Sequence, residues 1–166
     1  MFLKSLVVTG TLTAAAATAG SLATTGAVKS RWYQTLRKPA IQPPPAAFPV
    51  VWSTLYADIA LASASVLADG AKLATDAPTP AENPARGYLG ALAVNLALNA
   101  AWSWCFFRMR NLPLSVGVAG GLALSSVGLA RRAGRVKPAL GWLLAPYAAW
   151  CAFATVLSAR VAALNK

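Results

Sequence analysis

The sequence contains no histidine. That absence removes His-based nucleophile systems, imidazole proton relays and histidine ligation of haem or a transition metal. Cysteine is nearly missing as well, and Cys105 and Cys151 alone build neither a zinc site nor a disulfide framework. Acids are the next shortage: four Asp and Glu stand against fifteen Lys and Arg, a formal net charge of +11. Charged residues make up 11% of the 166-residue chain, where a soluble domain carries about 25%. What remains is 57% apolar, a composition for a bilayer rather than for a water-facing surface.

The few charges are unevenly placed. They leave five long runs: 5–28, 39–68 (interrupted only by Asp58), 87–107, 111–130 and 138–159. A spanning helix needs about 20 mainly apolar residues. A water-soluble bundle would break each run with polar positions every third or fourth residue, and these runs are not broken so. The chain reads as an all-α integral membrane protein, one five-transmembrane-helix bundle over 1–166. Its helices are expected at about 5–28, 48–68, 87–107, 111–130 and 138–160, with a Pro-rich loop at 29–47 and a polar loop at 69–86. Lys4 and the run Ala14 to Ala17 resemble a cleavable signal peptide. The uncharged run is longer than such a peptide's apolar core, and cleavage would remove a whole span, so the segment is expected to stay.

The basic residues fall at the ends of the runs, at the level of phospholipid headgroups. This placement explains the +11 through membrane lipids and argues against nucleic acid. Seven Lys and Arg lie on the N-terminal side and eight on the other, so the positive-inside rule selects no orientation. Arg108, Met109 and Arg110 alone join the third and fourth helices, which makes these antiparallel neighbours. Asn111 is a candidate N-cap with Pro113 in the first turn, and Pro138 opens the fifth helix. Glycine and alanine are frequent in the third and fourth helices. They suit close helix packing in lipid, within one bundle or along a homodimer seam.

The segment from Arg31 to Tyr56 concentrates proline and aromatic residues. Pro43, Pro44 and Pro45 favour an extended path, so the loop is expected to be a stiff strap over one end of the bundle. Three helical stripes accompany it. Phe48, Trp52, Tyr56 and Ile59 share one face of the second helix, and Asn95, Asn99, Trp102 and Phe106 one face of the third. Tyr147, Trp150, Ala154 and Ser158 share a face of the fifth, where Pro146 interrupts the backbone hydrogen bonding. Buried Asn side chains need partners in lipid, so Asn95 and Asn99 should point inward. Such stripes fit either an aromatic core or a cavity for a large flat ligand. Asp58, the one acid inside a span, lies about 160° around the helix from Tyr56 and marks a second candidate position.

Several blocks together resemble the TspO/MBR family, the tryptophan-rich sensory and translocator proteins. They are W-Y-x-x-L-x-K-P at 32–39, P-P at 43–44, F-P-x-x-W-x-x-L-Y at 48–56, N-L-A-L-N-A-A-W-S-W-C-F-F at 95–107 and P-Y-x-x-W-x-A-F-A-T-x-L at 146–157. Asn95 stands where the family often has Gln, Ser158 where many members have Asn, and Asp58 has no counterpart. The fifth helix lacks the tyrosine of the cholesterol-recognition pattern, which speaks against a sterol partner. The resemblance implies a five-helix bundle, commonly a homodimer, that binds porphyrins such as protoporphyrin IX and haem-related tetrapyrroles beneath the first loop. It places that pocket on Tyr33, Pro43, Phe48, Trp52, Tyr56, Asn99, Trp102, Trp150, Ala154 and Ser158, with no required cofactor and no metal. Three functions follow as expectations. The first is a porphyrin-binding sensor or transporter. The second is a light- and oxygen-dependent porphyrin-degrading enzyme using Trp52 and Trp150, although no acid-base pair is visible. The third is a sterol- or lipid-binding or regulatory membrane partner.

Overall fold

A computed structural model describes residues 1–76, 83 and 85–166. Among the described residues there are helices and no strand. They are α1 (Phe2–Thr24), α2 (Arg31–Thr35), α3 (Ala47–Asp76), α4 (Tyr88–Ser103), α5 (Leu112–Val136) and α6 (Pro138–Leu164). A 3-10 turn, Ala27–Lys29, continues α1, and a π turn, Trp104–Arg108, continues α4. Five of the segments are long and apolar enough to cross a membrane: Phe2–Lys29, Ala47–Ala74, Tyr88–Arg108, Leu112–Val136 and Pro138–Leu164. The all-α, five-span architecture expected from the charge-free runs is therefore present.

The local signals act where the sequence places them. Asn111 caps α5, its Oδ1 accepting from the Leu114 N–H at 3.0 Å, with Pro113 in the first turn. Pro138 stands at the start of α6, and α6 continues through Pro146. Helix ends differ from the expected limits for a physical reason. Once a span is nucleated, helix propagates at little cost into residues of good propensity. Accordingly α3 runs on to Asp76, with Lys72 paired to Asp69 at 3.4 Å one turn apart. The polar loop expected from residue 69 thus begins later, and its residues 77–82 and 84 lie outside the described residues. By the same reasoning α5 carries Arg131, Arg132 and Arg135 as helical residues.

Neighbouring helices close a ring in the order α1, α3, α6, α5, α4, with α4 returning to α1. The most extensive packing joins α5 and α6. Its cause is visible at two glycines: a Cβ on Gly141 would lie 3.0 Å from both the Ala130 carbonyl oxygen and the Gly134 Cα. Leu92, Leu129, Leu144, Ile59, Tyr88 and Tyr147 fill the interior of the ring.

Candidate functional site

The Pro-rich loop is not extended throughout, as its prolines suggest. Ser30 caps the one-turn helix α2, its Oγ accepting from the Tyr33 N–H at 3.3 Å. The chain then makes two turns, closed by the Gln42 N–H to the Pro39 carbonyl at 3.0 Å and by the Ala47 N–H to the Pro44 carbonyl at 2.9 Å. In the second, Pro45 occupies the position where a fixed φ favours a turn. Burying Trp32 and Tyr33 on Phe106 and Phe107 is what bends the loop down, with ring centroids at 6.0 and 5.6 Å. Cations cover the outer sides of these rings: Lys38 Nζ lies 4.5 Å from the Tyr33 centroid and the Arg110 guanidinium 5.4 Å from that of Trp32. Burial raises the Tyr33 phenol above its ordinary pKa, an effect partly offset by a hydrogen bond with the Gln42 side chain. The phenol therefore stays neutral through the physiological range.

The π turn explains why two adjacent phenylalanines serve the loop. In a regular α-helix residues 105, 106 and 107 would spread over about 200° of the circumference. Here Cys105, Phe106 and Phe107 are all buried while Trp104 faces outward, its Nε1 donating to the Ala19 carbonyl of α1 at 3.0 Å. One added residue in the turn re-aims the following side chains. The chain then leaves through Arg110 at φ 54, an uncommon conformation for a residue other than glycine.

A second aromatic group lies between α3 and α6. Trp52 stacks on Tyr56 at 5.5 Å and meets Trp150 edge-on at 6.5 Å, and Phe48 meets Trp150 edge-on at 6.1 Å. Phe153 extends the group at 5.3 Å from Trp150. The Trp150 Nε1 donor is buried without a hydrogen-bond partner among the described residues.

Beneath the rings runs a directed chain of side-chain hydrogen bonds. Tyr56 Oη donates to Asn99 Oδ1 at 2.8 Å, and Asn99 Nδ2 donates to Tyr147 Oη at 3.3 Å. Tyr147 Oη in turn donates to Asn95 Oδ1 at 2.7 Å. Asn95 Nδ2 donates to Ser126 Oγ at 3.0 Å and to Ser125 Oγ at 3.2 Å. Ser126 Oγ ends the chain on the Leu122 carbonyl at 2.8 Å. Donation thus proceeds in one direction through α3, α4, α6 and α5, and the order fixes both amide orientations.

Of the residues the sequence singled out, Phe48, Trp52, Tyr56 and Trp150 come together, and Asn99 joins them through Tyr56. Trp102 and Ser158 form a pair, the indole Nε1 donating to Ser158 Oγ at 3.2 Å. Trp102 otherwise packs with Phe106 and Phe107, in the same group as Tyr33. Pro43 and Ala154 are half-buried. The aromatic residues of the three stripes thus lie in two groups, one under the loop and one between α3 and α6. Tyr147, Ser125, Ser126 and Phe153 complete the arrangement; only Tyr147, at helical spacing from Trp150, was visible in a stripe. Asp58 stands apart, half-buried, with Oδ2 lacking a hydrogen-bond partner among the described residues.

Residues 8–164 match the TspO/MBR family. The chain is 33% identical over 134 residues to the translocator protein of Ovis aries, an alignment covering 79% of this chain and 73% of that protein. It is 34% identical over 137 residues to the tryptophan-rich protein TspO of Chlorobaculum tepidum, covering 82% and 80%. A tryptophan-rich sensory protein of Cereibacter sphaeroides is 30% identical over 151 residues, covering 90% and 87%.

Proposed function

Since the chain belongs to the TspO/MBR family and is a multi-pass integral membrane protein, we propose that it binds a flat tetrapyrrole of the protoporphyrin type between α3 and α6, as a sensor or transporter. The observation that carries this reading is the Trp150 indole N–H, buried among Phe48, Trp52 and Phe153 with no acceptor among the described residues. A buried unmade hydrogen bond costs about 1–3 kcal/mol, and a ligand acceptor would remove that cost. Trp52 and Trp150 already rest against other rings, so a planar ligand that parts them exchanges one aromatic contact for another.

The parts divide as follows. Trp52 and Trp150 supply faces for the macrocycle, and Phe48 closes the rim. Asn99 spends one amide hydrogen on Tyr147 and keeps the other for a polar edge. Lys29, Arg31, Arg37 and Lys38 on the loop attract ligand carboxylates, and Tyr33 holds the loop down beside them. Without histidine, affinity rests on stacking, shape and amide contacts.

Titration of the nanodisc-embedded protein with protoporphyrin IX, read from the porphyrin's own emission, tests the proposal. Trp52→Ala should weaken binding more than tenfold. Trp150→Phe keeps the ring and loses the donor, for a loss of about tenfold, or about 1.4 kcal/mol. Haem and metal-free porphyrin should bind within a few-fold of each other. Unchanged binding in Trp52→Ala, or a large preference for haem, sinks the reading.

A further inference from the structure

Far from the loop, α4 and α5 separate to leave a cleft of about 350 Å³, within the size range of small-molecule sites. Its floor is backbone. Gly90 and Ala91 of α4 face Gly128 of α5, and a Cβ added at Gly90 or Gly128 meets no atom within 4 Å. Val94 and Leu129 wall the deeper part, and Ser125, held by Asn95, closes it. Arg132 stands at the mouth beside Gly87, where α4 begins with no side-chain cap.

We propose that this cleft is a binding site for an anionic phospholipid of the leaflet opposite the Pro-rich loop. Its phosphate would sit on Arg132 and an acyl chain would lie along the glycine floor. Three observations select that occupant. The first is depth: Arg132 is four residues from the end of α5, at headgroup level, and Ser125 lies seven residues earlier, about 10 Å deeper at 1.5 Å per residue. The slot therefore runs from the interface into the hydrocarbon, along the path of a lipid tail. The second is chemistry. The mouth is cationic and the walls are apolar, which matches a phosphodiester joined to a chain. Among the described residues the ion pair is Lys72 with Asp69, and Arg132 takes no part in it. The third concerns the competing occupant, a second copy of this chain. A two-fold axis along the membrane normal brings equal depths together. Arg132 would then face its own copy, with the exposed Arg86, Arg131 and Arg135 around it. Like charges oppose that arrangement and favour an anionic headgroup.

The test uses the full chain, purified in a neutral detergent and stripped of lipid. Phosphatidylglycerol or phosphatidylcholine is added, and bound lipids are counted by native mass spectrometry. One phosphatidylglycerol should bind at least tenfold more tightly than phosphatidylcholine. Arg132→Gln should bring the two lipids to equal affinity. Gly128→Leu should displace both by filling the slot, and Gly90→Val, which fills it from the other helix, should do the same if the first variant folds poorly. Soluble glycerol phosphate should fail to compete. Phosphatidylglycerol binding that is unchanged in both glycine variants overturns the proposal. So does effective competition by glycerol phosphate, which would leave an anion site only. A dimer that Gly128→Leu converts to monomer with no change in bound lipid would make the cleft the seat of a second copy instead.

Discussion

At the end that carries the Pro-rich loop, α3, α4 and α6 are held apart by rings. At the other end α5 and α6 touch backbone to backbone across Gly134 and Gly141. Ring centroids in the first region stand 4.8 to 6.5 Å apart and most meet edge-on or tilted, an arrangement in which one aromatic plane can be exchanged for another. In the second region the Gly141 Cα has no side chain to exchange. The rings of the first region can rearrange onto equivalent contacts, whereas the α5–α6 seam of the second takes no side chain at Gly141 without moving a helix. The difference separates the part of the bundle that can yield from the part that sets its frame.

The strongest way to break that comparison is to force a side chain into the frame. Gly141→Leu places carbon against the Ala130 carbonyl and the Gly134 backbone, and overpacking of this kind costs about 3 kcal/mol. Its unfolding midpoint in detergent should fall well below that of Trp52→Ala, although the tryptophan variant removes far more atoms. If the tryptophan variant is the less stable of the two, the aromatic end is the frame and the comparison is reversed.

Tyr147→Phe addresses the layer between the two regions. It deletes the donor to Asn95 Oδ1 and the acceptor of Asn99 Nδ2 together and leaves two buried amides short of a partner. The expected loss is about 1–2 kcal/mol. A matching Asn95→Leu exchange should cost less in the Tyr147→Phe background than alone, since the two residues share one interaction. Equal costs would show that the side chains act independently.

These regions were unequally legible in the sequence. The frame was readable in outline, because charge-free runs, Asn111 with Pro113, and Pro138 report local helix physics. The inward aim of Asn95 and Asn99 followed from the need of amides for partners in lipid. The π turn was hidden, since one extra residue per turn leaves no mark in composition, and with it went the joint burial of Phe106 and Phe107. The division of the aromatic residues into two groups was hidden for a different reason: spacing describes one helix at a time. The α3 extension to Asp76 escaped because a polar segment rich in good helix formers reads as a loop when judged by charge.

A smaller effect separates the loop from the rings it covers. Asn165, one residue past α6, pins the loop like a strand partner. Its Oδ1 accepts from the Arg37 N–H at 2.9 Å, and its Nδ2 donates to the Arg37 carbonyl at 2.9 Å. The contact is exposed, so Asn165→Ala should release the loop at a cost of about 1 kcal/mol and leave the bundle alone. Hydrogen exchange at the Arg37 amide should accelerate about fivefold, the rate factor that corresponds to that energy, with the global midpoint unchanged. A shift of the midpoint instead would make the loop part of the frame.

The smallest effect is the most discriminating, because it sets one glycine against another in the same pair of helices. Gly128 lies in α5 as Gly141 lies in α6, and residue type alone does not tell the two positions apart. Their surroundings differ: a Cβ at Gly141 meets backbone at 3.0 Å, and one at Gly128 meets nothing within 4 Å. Gly128→Ala therefore gains the helix preference of alanine over glycine with no clash, a stabilisation of about 0.5 kcal/mol. Gly141→Ala loses stability despite the same intrinsic gain. Opposite signs from one substitution would show that backbone proximity, and not glycine content, locks this end of the bundle. If Gly128→Ala also destabilised the lipid-free protein in detergent, the space beside that glycine would already be filled by the protein itself, and the cleft would not be open to a lipid.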